Sequence, residues 1–177
     1  MEFKYIQSNE LQEIGHVISF TRDQIDKRLY KRIRSEVDPK LGTWALCAKC
    51  DDKHIVLQVA SSGNIQSEII RDLKCMLPPS KADEKPWNSY YFKNLFKVTY
   101  GKDARCQKYN HIYNSYSEFF IVIVDYSKFL KNDDVQNYSL AEYAEAKMAC
   151  RYRAVYWWPN NTNKEREIIS KHPEWND

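Results

Sequence analysis

Apolar residues recur every fourth position from Ile25 through Leu29 and Ile33 to Val37, with mostly charged residues between them. That spacing sets the four on one face of a helix, because a turn takes about 3.6 residues. Thr21-Arg22-Asp23-Gln24 has the form of a capping box at its start. Asp38-Pro39 closes it, since the residue before a proline avoids helical geometry. Ahead of this helix, Ser8 to Glu13 reads as a short helix and His16 to Phe20 as a short strand.

The period then changes. Gly42 to Lys49 and His54 to Val59 are apolar runs separated by the polar turn Asp51-Asp52-Lys53, and together they read as a β-hairpin. The second run stops at Ser61-Ser62-Gly63-Asn64, and Ile65, Ile69, Leu73 and Met76 resume at helical spacing until Pro78-Pro79. Either Ser62 or Asn64 is expected to cap that helix. Glu118 to Tyr126, with the sequence EFFIVIVDY, is the strongest strand, and its unbroken apolar content predicts a place with both faces covered. Asn137 to Arg153 predicts another helix, with Ser139-Leu140-Ala141-Glu142 as a capping box and Leu140, Ala144 and Met148 on one face. A short helix is expected over Asn163 to Lys171.

These elements define an α/β chain of the α+β kind: a small central sheet, built from the hairpin and one further central strand, flanked by helices. One domain is expected over 1–177. Within it, 1–40 is an N-terminal extension with the basic helix, 41–76 and 118–160 are the core, and 77–117 is an aromatic-rich insertion of mixed structure.

Composition bounds the function. At 177 residues with 43% hydrophobic and 29% charged side chains, the chain can bury a core without staples. A formal charge of +3 is too small to argue for a polyanionic partner, so the distribution matters more than the sum. The helix over 21–37 carries Arg22, Lys27, Arg28, Lys31, Arg32 and Arg34 against Asp23, Asp26 and Glu36. Such a ridge suits phosphates, with Arg28, Lys31 and Arg32 as its contacts; the competing reading is a solvated face held by i,i+4 pairs such as Asp23 with Lys27. In the insertion, Lys93 and Lys97 stand among tyrosines and phenylalanines, a combination compatible with base stacking or with core packing.

No run approaches the about 20 apolar residues needed to span a bilayer, and no apolar leader follows Met1, so no membrane partner is expected. Five cysteines, an odd number, argue against a closed disulfide framework and for a reducing, cytoplasmic compartment. Cys47 and Cys50, with Cys106 and His111, would make a zinc set; the simpler reading has Cys47 packing inward and Cys50 at the hairpin turn. Asp51-Asp52 reads as turn chemistry rather than a carboxylate pair. With four glycines the chain holds no P-loop, dinucleotide fingerprint or nucleophile elbow. Glu142 and Glu145 lie three apart on the helix over 137–153; capping accounts for Glu142 and leaves Glu145, among alanines, as either an exposed glutamate or a cleft residue.

The order hairpin, helix, insertion, strand, helix resembles the GIY-YIG nuclease domain. That family places Gly-Ile-Tyr on its first strand and Tyr-Val-Gly or Tyr-Ile-Gly on its second. Ser-x-Asn-Leu-x-x-Arg opens its first helix, and a metal-binding Glu sits on a later helix with a Pro and an Asn downstream. Here Gly42-Thr43-Trp44, Gln58-Val59-Ala60 and Ser62-Gly63-Asn64-Ile65-Gln66-Ser67-Glu68 stand in those places, with Glu145 and then Pro159-Asn160 following. The resemblance implies a core in which the tyrosines serving the attacking water are replaced by Trp44 and Gln58. The arginine that stabilises phosphoryl charge is replaced by Glu68, which repels a phosphate. The resemblance thus implies a catalytically degenerate protein that acts by binding, with nucleic acid as one partner and no cofactor. One alternative is a metal-dependent phosphodiesterase using Glu145 with a divalent cation and Arg71 as clamp. Another is an accessory factor whose insertion docks a protein partner.

Overall fold

In a computed structural model, which describes residues 3–77, 85–86, 99–100, 104–157 and 164–176, the two apolar periods become the two kinds of element they imply. The chain runs β1 (Tyr5–Ile6), α1 (Ser8–Ile14), β2 (Gly15–Thr21), a 3-10 turn (Arg22–Gln24) and α2 (Lys27–Glu36). The hairpin β3 (Gly42–Cys50) and β4 (Lys53–Ser62) leads into α3 (Ile65–Met76). A short pair, β5 (Lys85–Pro86) and β6 (Thr99–Tyr100), precedes α4 (Ala104–Ser115). Then come β7 (Glu118–Val124), α5 (Tyr126–Phe129), α6 (Leu140–Arg151), α7 (Lys164–Lys171) and a 3-10 turn (Pro173–Asn176).

The main sheet has the order β1-β4-β3-β7-β2 and is antiparallel throughout. Successive side chains of a strand point to opposite faces, and both faces of β3 are covered. Trp44, Leu46 and Ala48 join a core shared with α2, α3 and α4, while Ala45 and Cys47 join a second core shared with α1, α6 and α7. β7 lies between β3 and β2, the interior place that its continuous apolar run implies. Each fully buried Ile or Leu of these two layers contributes roughly 1.5–3 kcal/mol of transfer free energy.

Local chemistry moves several boundaries. Ile25, Leu29, Ile33 and Val37 are all buried, as their spacing requires. The helix itself starts five residues later than the capping box suggests, because Thr21 is still paired with Glu118 in the ladder and the backbone must turn first. The Thr21–Gln24 box closes the 3-10 turn, the Thr21 N–H donating to Gln24 Oε1 at 2.9 Å, and Asp26 caps α2 by accepting from the Arg28 and Leu29 N–H groups at 2.7 and 3.2 Å. Gln66 of α3 then donates to the Val37 and Arg34 carbonyls at the other end of α2, at 2.7 and 3.2 Å. Asn64, rather than Ser62, caps α3, its Oδ1 accepting from the Ser67 N–H at 3.0 Å.

The capping box expected at Ser139 is absent. Ser139 holds extended backbone at the cap position with no side-chain bond, and Glu142 instead faces Lys164 at 3.9 Å. Leu140 stands on the side of Ala144 and Met148, as its spacing requires, but it is exposed at the helix start, while 143–150 is buried throughout. The sheet covers one side of α6, and α7 with the final 3-10 turn covers another, so a one-sided pattern has nothing to mark. Cys75 on α3 is disulfide-bonded, whereas Cys47, Cys50 and Cys150 lie outside any disulfide; an odd count excludes a closed framework but still allows a bridge. Among the described residues no helix is long and apolar enough to cross a membrane.

Gly15, at the start of β2, shows how tightly the sheet closes. A Cβ added there would lie 1.9 Å from the Ile123 carbonyl oxygen, whereas one at Gly63 would meet nothing within 4 Å. Urea unfolding is expected to find Gly15→Ala destabilised by at least about 2 kcal/mol, and Gly63→Ala within about 0.5 kcal/mol of the parent. Equal effects at the two glycines would contradict the packing.

Candidate functional site

A β-bulge sets the first side chain of the site. Along β3, Leu46 pairs with Gln58 but Cys47 pairs with Val56, so Leu57 is the extra residue on β4. A bulge re-aims its neighbours. Leu57 packs into the core shared with α2, α3 and α4, and Gln58, also buried, turns its Oε1 to accept from Lys108 Nζ of α4 at 2.8 Å.

Lys108 belongs to a charged seam between α3 and α4. Asp72, buried on α3, accepts from Arg105 Nη1 at 3.0 Å and from the Tyr109 hydroxyl at 2.8 Å. One turn earlier, Glu68 Oε1 lies 3.3 Å from Arg71 Nη2 and 3.5 Å from Arg105 Nη2. Burial raises the Asp72 carboxyl above its ordinary range, against the pull of Arg105 and the Tyr109 hydrogen bond. Burial likewise pushes the Lys108 ammonium down to about 8, although Asp72 favours its charge. The spacing of Arg105, Lys108 and Tyr109, at i, i+3 and i+4, was the sequence signal for this face, hidden by the irregular composition around it.

Glu145 forms a separate node. It is 1% exposed, and its Oε2 accepts from the Ser61 N–H at 2.8 Å and the Ser61 hydroxyl at 2.6 Å, while Oε1 accepts from Trp157 Nε1 at 2.9 Å. A carboxylate offers about four lone-pair sites, and three of these are taken. Burial raises its pKa; the Ser61 and Trp157 hydrogen bonds oppose that shift. Glu145 is therefore neither an exposed glutamate nor a cleft residue.

The sheet separates the positions singled out in the sequence. Trp44 pairs with Ala60 and both face α3, whereas Thr43 pairs with Ser61 and both turn to α6. Trp44, Gln58, Glu68 and Arg71 thus lie on one side and Glu145 on the other. Only Gln58, Glu68 and Arg71 come into one network, joined by Lys108 and Arg105. Trp44 is buried, and its indole N–H has no partner among the described residues.

The zinc set does not assemble either: Cys47 faces α6, while His111 packs edge-on against Tyr156 in the opposite core, ring centroids 6.0 Å apart. The Cys106 side chain lies outside the described residues. The buried Cys47 thiol is pushed up to about 12 by desolvation, which disfavours a thiolate ligand. Among the described residues, no three His, Cys, Asp or Glu side chains are placed to share a metal ion.

On α2 the predicted pair of Asp23 with Lys27 is not formed, because Asp23 accepts from the Thr21 hydroxyl at 2.6 Å. Arg32 is occupied, bonding Glu36 at 2.7 Å and the Ser19 carbonyl at 3.0 Å. Arg28 and Lys31 are exposed. Lys93 and Lys97 lie outside the described residues. Comparison with protein-family models, with curated proteins and with solved structures finds no match to this chain.

The Glu145 node has a measurable signature. A carboxyl whose folded pKa exceeds its unfolded value stabilises the fold fully only below the unfolded value, and that contribution is lost as pH rises through the folded one. The stability of the parent relative to Glu145→Gln is therefore expected to fall as pH increases from the ordinary 4.5 upward. Ser61→Ala should extend the fall to higher pH by removing a bond to the charged form. Urea titrations at stepped pH check this; a difference that stays flat or grows with pH would contradict the assignment.

Proposed function

We propose that this chain acts by binding rather than by chemistry, as a degenerate form of the GIY-YIG-like core, with nucleic acid as the ligand of α2. The observation that carries the reading is the exposed row Lys27, Arg28, Lys31 and Arg34. At about 100° per residue, these four cluster on the face opposite Leu29, Tyr30 and Ile33. None of the four has a side-chain ion pair among the described residues, and no acidic residue interrupts the row. Exposed guanidinium and ammonium groups along one helix face suit a phosphate backbone, whose binding releases condensed counterions.

The element order supports the core: hairpin β3–β4, helix α3, strand β7 and helix α6 follow in the sequence that the resemblance requires. The loss of chemistry is supported by the positions themselves. Glu145 gives its oxygens to Ser61 and Trp157 on the α6 side of the sheet, while Arg71 lies on the α3 side. A phosphodiesterase built on Glu145 and Arg71 needs the two to meet across the sheet, and no observation favours it.

The test is fluorescence anisotropy with labelled single- and double-stranded oligonucleotides over a salt series. Binding should weaken linearly in log–log form with salt, and removing one cation that neutralises a phosphate should lower the slope by about 0.7–0.9. Lys31→Glu with Arg34→Glu should lower affinity and slope together. Arg32→Ala is the contrast, expected to leave the slope intact because Arg32 is held by Glu36 and Ser19. Absence of binding at low salt sinks the reading.

A further inference from the structure

The α3–α4 seam contains two carboxylates that do different work. Asp72 is the structural tie: its side chain is 4% exposed, Arg105 reaches it at 3.0 Å, and the Tyr109 hydroxyl adds a second bond. Glu68 is held otherwise. The Nη2 atoms of Arg71 and Arg105 converge on its single oxygen Oε1, at 3.3 and 3.5 Å, and Oε2 accepts no hydrogen bond among the described residues. Charge-assisted bonds of this type ordinarily close to about 2.7–2.9 Å, and a guanidinium clamp normally takes a carboxylate through two parallel bonds. Guanidinium forks match phosphate oxygens as well as carboxylate oxygens, so two of them aimed at one carboxylate oxygen can also take a phosphate.

We propose that Arg71 and Arg105 form a binding fork for a phosphate group and that Glu68 is its built-in occupant, which the ligand displaces. The fork is accessible from solvent, because the Arg71 and Arg105 side chains are 59% and 40% exposed while Glu68 lies beneath them at 11%. Lys108 lies close enough to interact electrostatically with Glu68, Asp72 and Arg105, so among the described residues three cations, Arg71, Arg105 and Lys108, face two carboxylates. Swinging Glu68 aside leaves α4 docked, since Asp72, Arg105 and Tyr109 remain bonded. A dianionic phosphate, free or as a terminal monoester, gains more from two guanidinium groups than a diester with one charge does. Glu68 is thereby a threshold: its carboxylate screens the fork from weaker anions. This site is separate from the ridge on α2 and stands or falls without it.

The experiment is isothermal titration of inorganic phosphate into the parent, Glu68→Gln, and Glu68→Gln combined with Arg71→Gln, each first confirmed as folded by its thermal melt. Glu68→Gln keeps the side-chain shape while removing the competing charge, and should bind at least about tenfold more tightly than the parent, a difference of about 1.4 kcal/mol. Adding Arg71→Gln, a change at the more exposed arginine, should abolish the gain. Lys53→Gln, an exposed change at the hairpin turn, should leave it unaltered. A second arm compares one oligonucleotide with a 5′-phosphate and with a 5′-hydroxyl. A gain on the phosphorylated strand assigns the fork to a nucleic-acid end; a gain for inorganic phosphate alone assigns it to the free anion. The proposal is overturned if Glu68→Gln binds phosphate no more tightly than the parent, or if the gain survives Arg71→Gln.

Discussion

From Gly42 to Ala48, β3 has water on neither face, and the requirement to cover both of them organises the rest of the molecule. A strand that pairs on both edges and packs on both faces cannot be completed by its own hairpin. β4 and β7 supply the edges, α2, α3 and α4 one layer, and α1, α6 and α7 the other. Both layers thus close over the seven buried residues of β3, Gly42–Ala48.

Polar groups buried by that enclosure must find partners inside it, since an unmade hydrogen bond in the interior costs about 1–3 kcal/mol. The partners come from distant parts of the sequence. Thr43 bonds the Ala141 carbonyl, Ser61 bonds Glu145, Gln58 bonds Lys108, and Asp72 bonds Arg105 and Tyr109. The two layers use these groups in opposite ways. On the α6 side the acid is sealed and serves as a tie between helix, strand and tail. On the α3 side the charges approach solvent, and among the described residues of the seam the cations exceed the acids.

What the sequence made legible was whatever depends on one element at a time. The face of α2, the hairpin and its turn, the helix after Asn64 and the interior strand β7 all follow from local period and cap chemistry. The misreadings arose where a second element intervened. α6 is covered on more than one side, so its apolar positions carry no period, and Ser139 keeps the cap backbone without the cap bond. Glu145 looked like an exposed or cleft residue because nothing near it in sequence announces Ser61 or Trp157 as partners. The bulge at Leu57 has no glycine to mark it, so the re-aiming of Gln58 toward α4 could not be read from composition. The separation of Trp44 from Glu145 is likewise a property of the sheet, invisible to motif spacing.

The tail beyond α6 carries a consequence for how the chain reaches this state. The Val155 and Tyr156 N–H groups bond the Val56 and Leu57 carbonyls at 3.0 and 2.7 Å, and the Trp157 indole completes Glu145. Partners this far apart in sequence pay loop-closure entropy before any contact rewards it. During synthesis the hairpin is in place long before the segment that finishes it, so the carbonyls of β4 and both sides of the Ser61–Glu145 contact wait for late-arriving residues. A chain still lacking that segment leaves the Val56 and Leu57 carbonyls without these partners and presents an open strand edge to its neighbours.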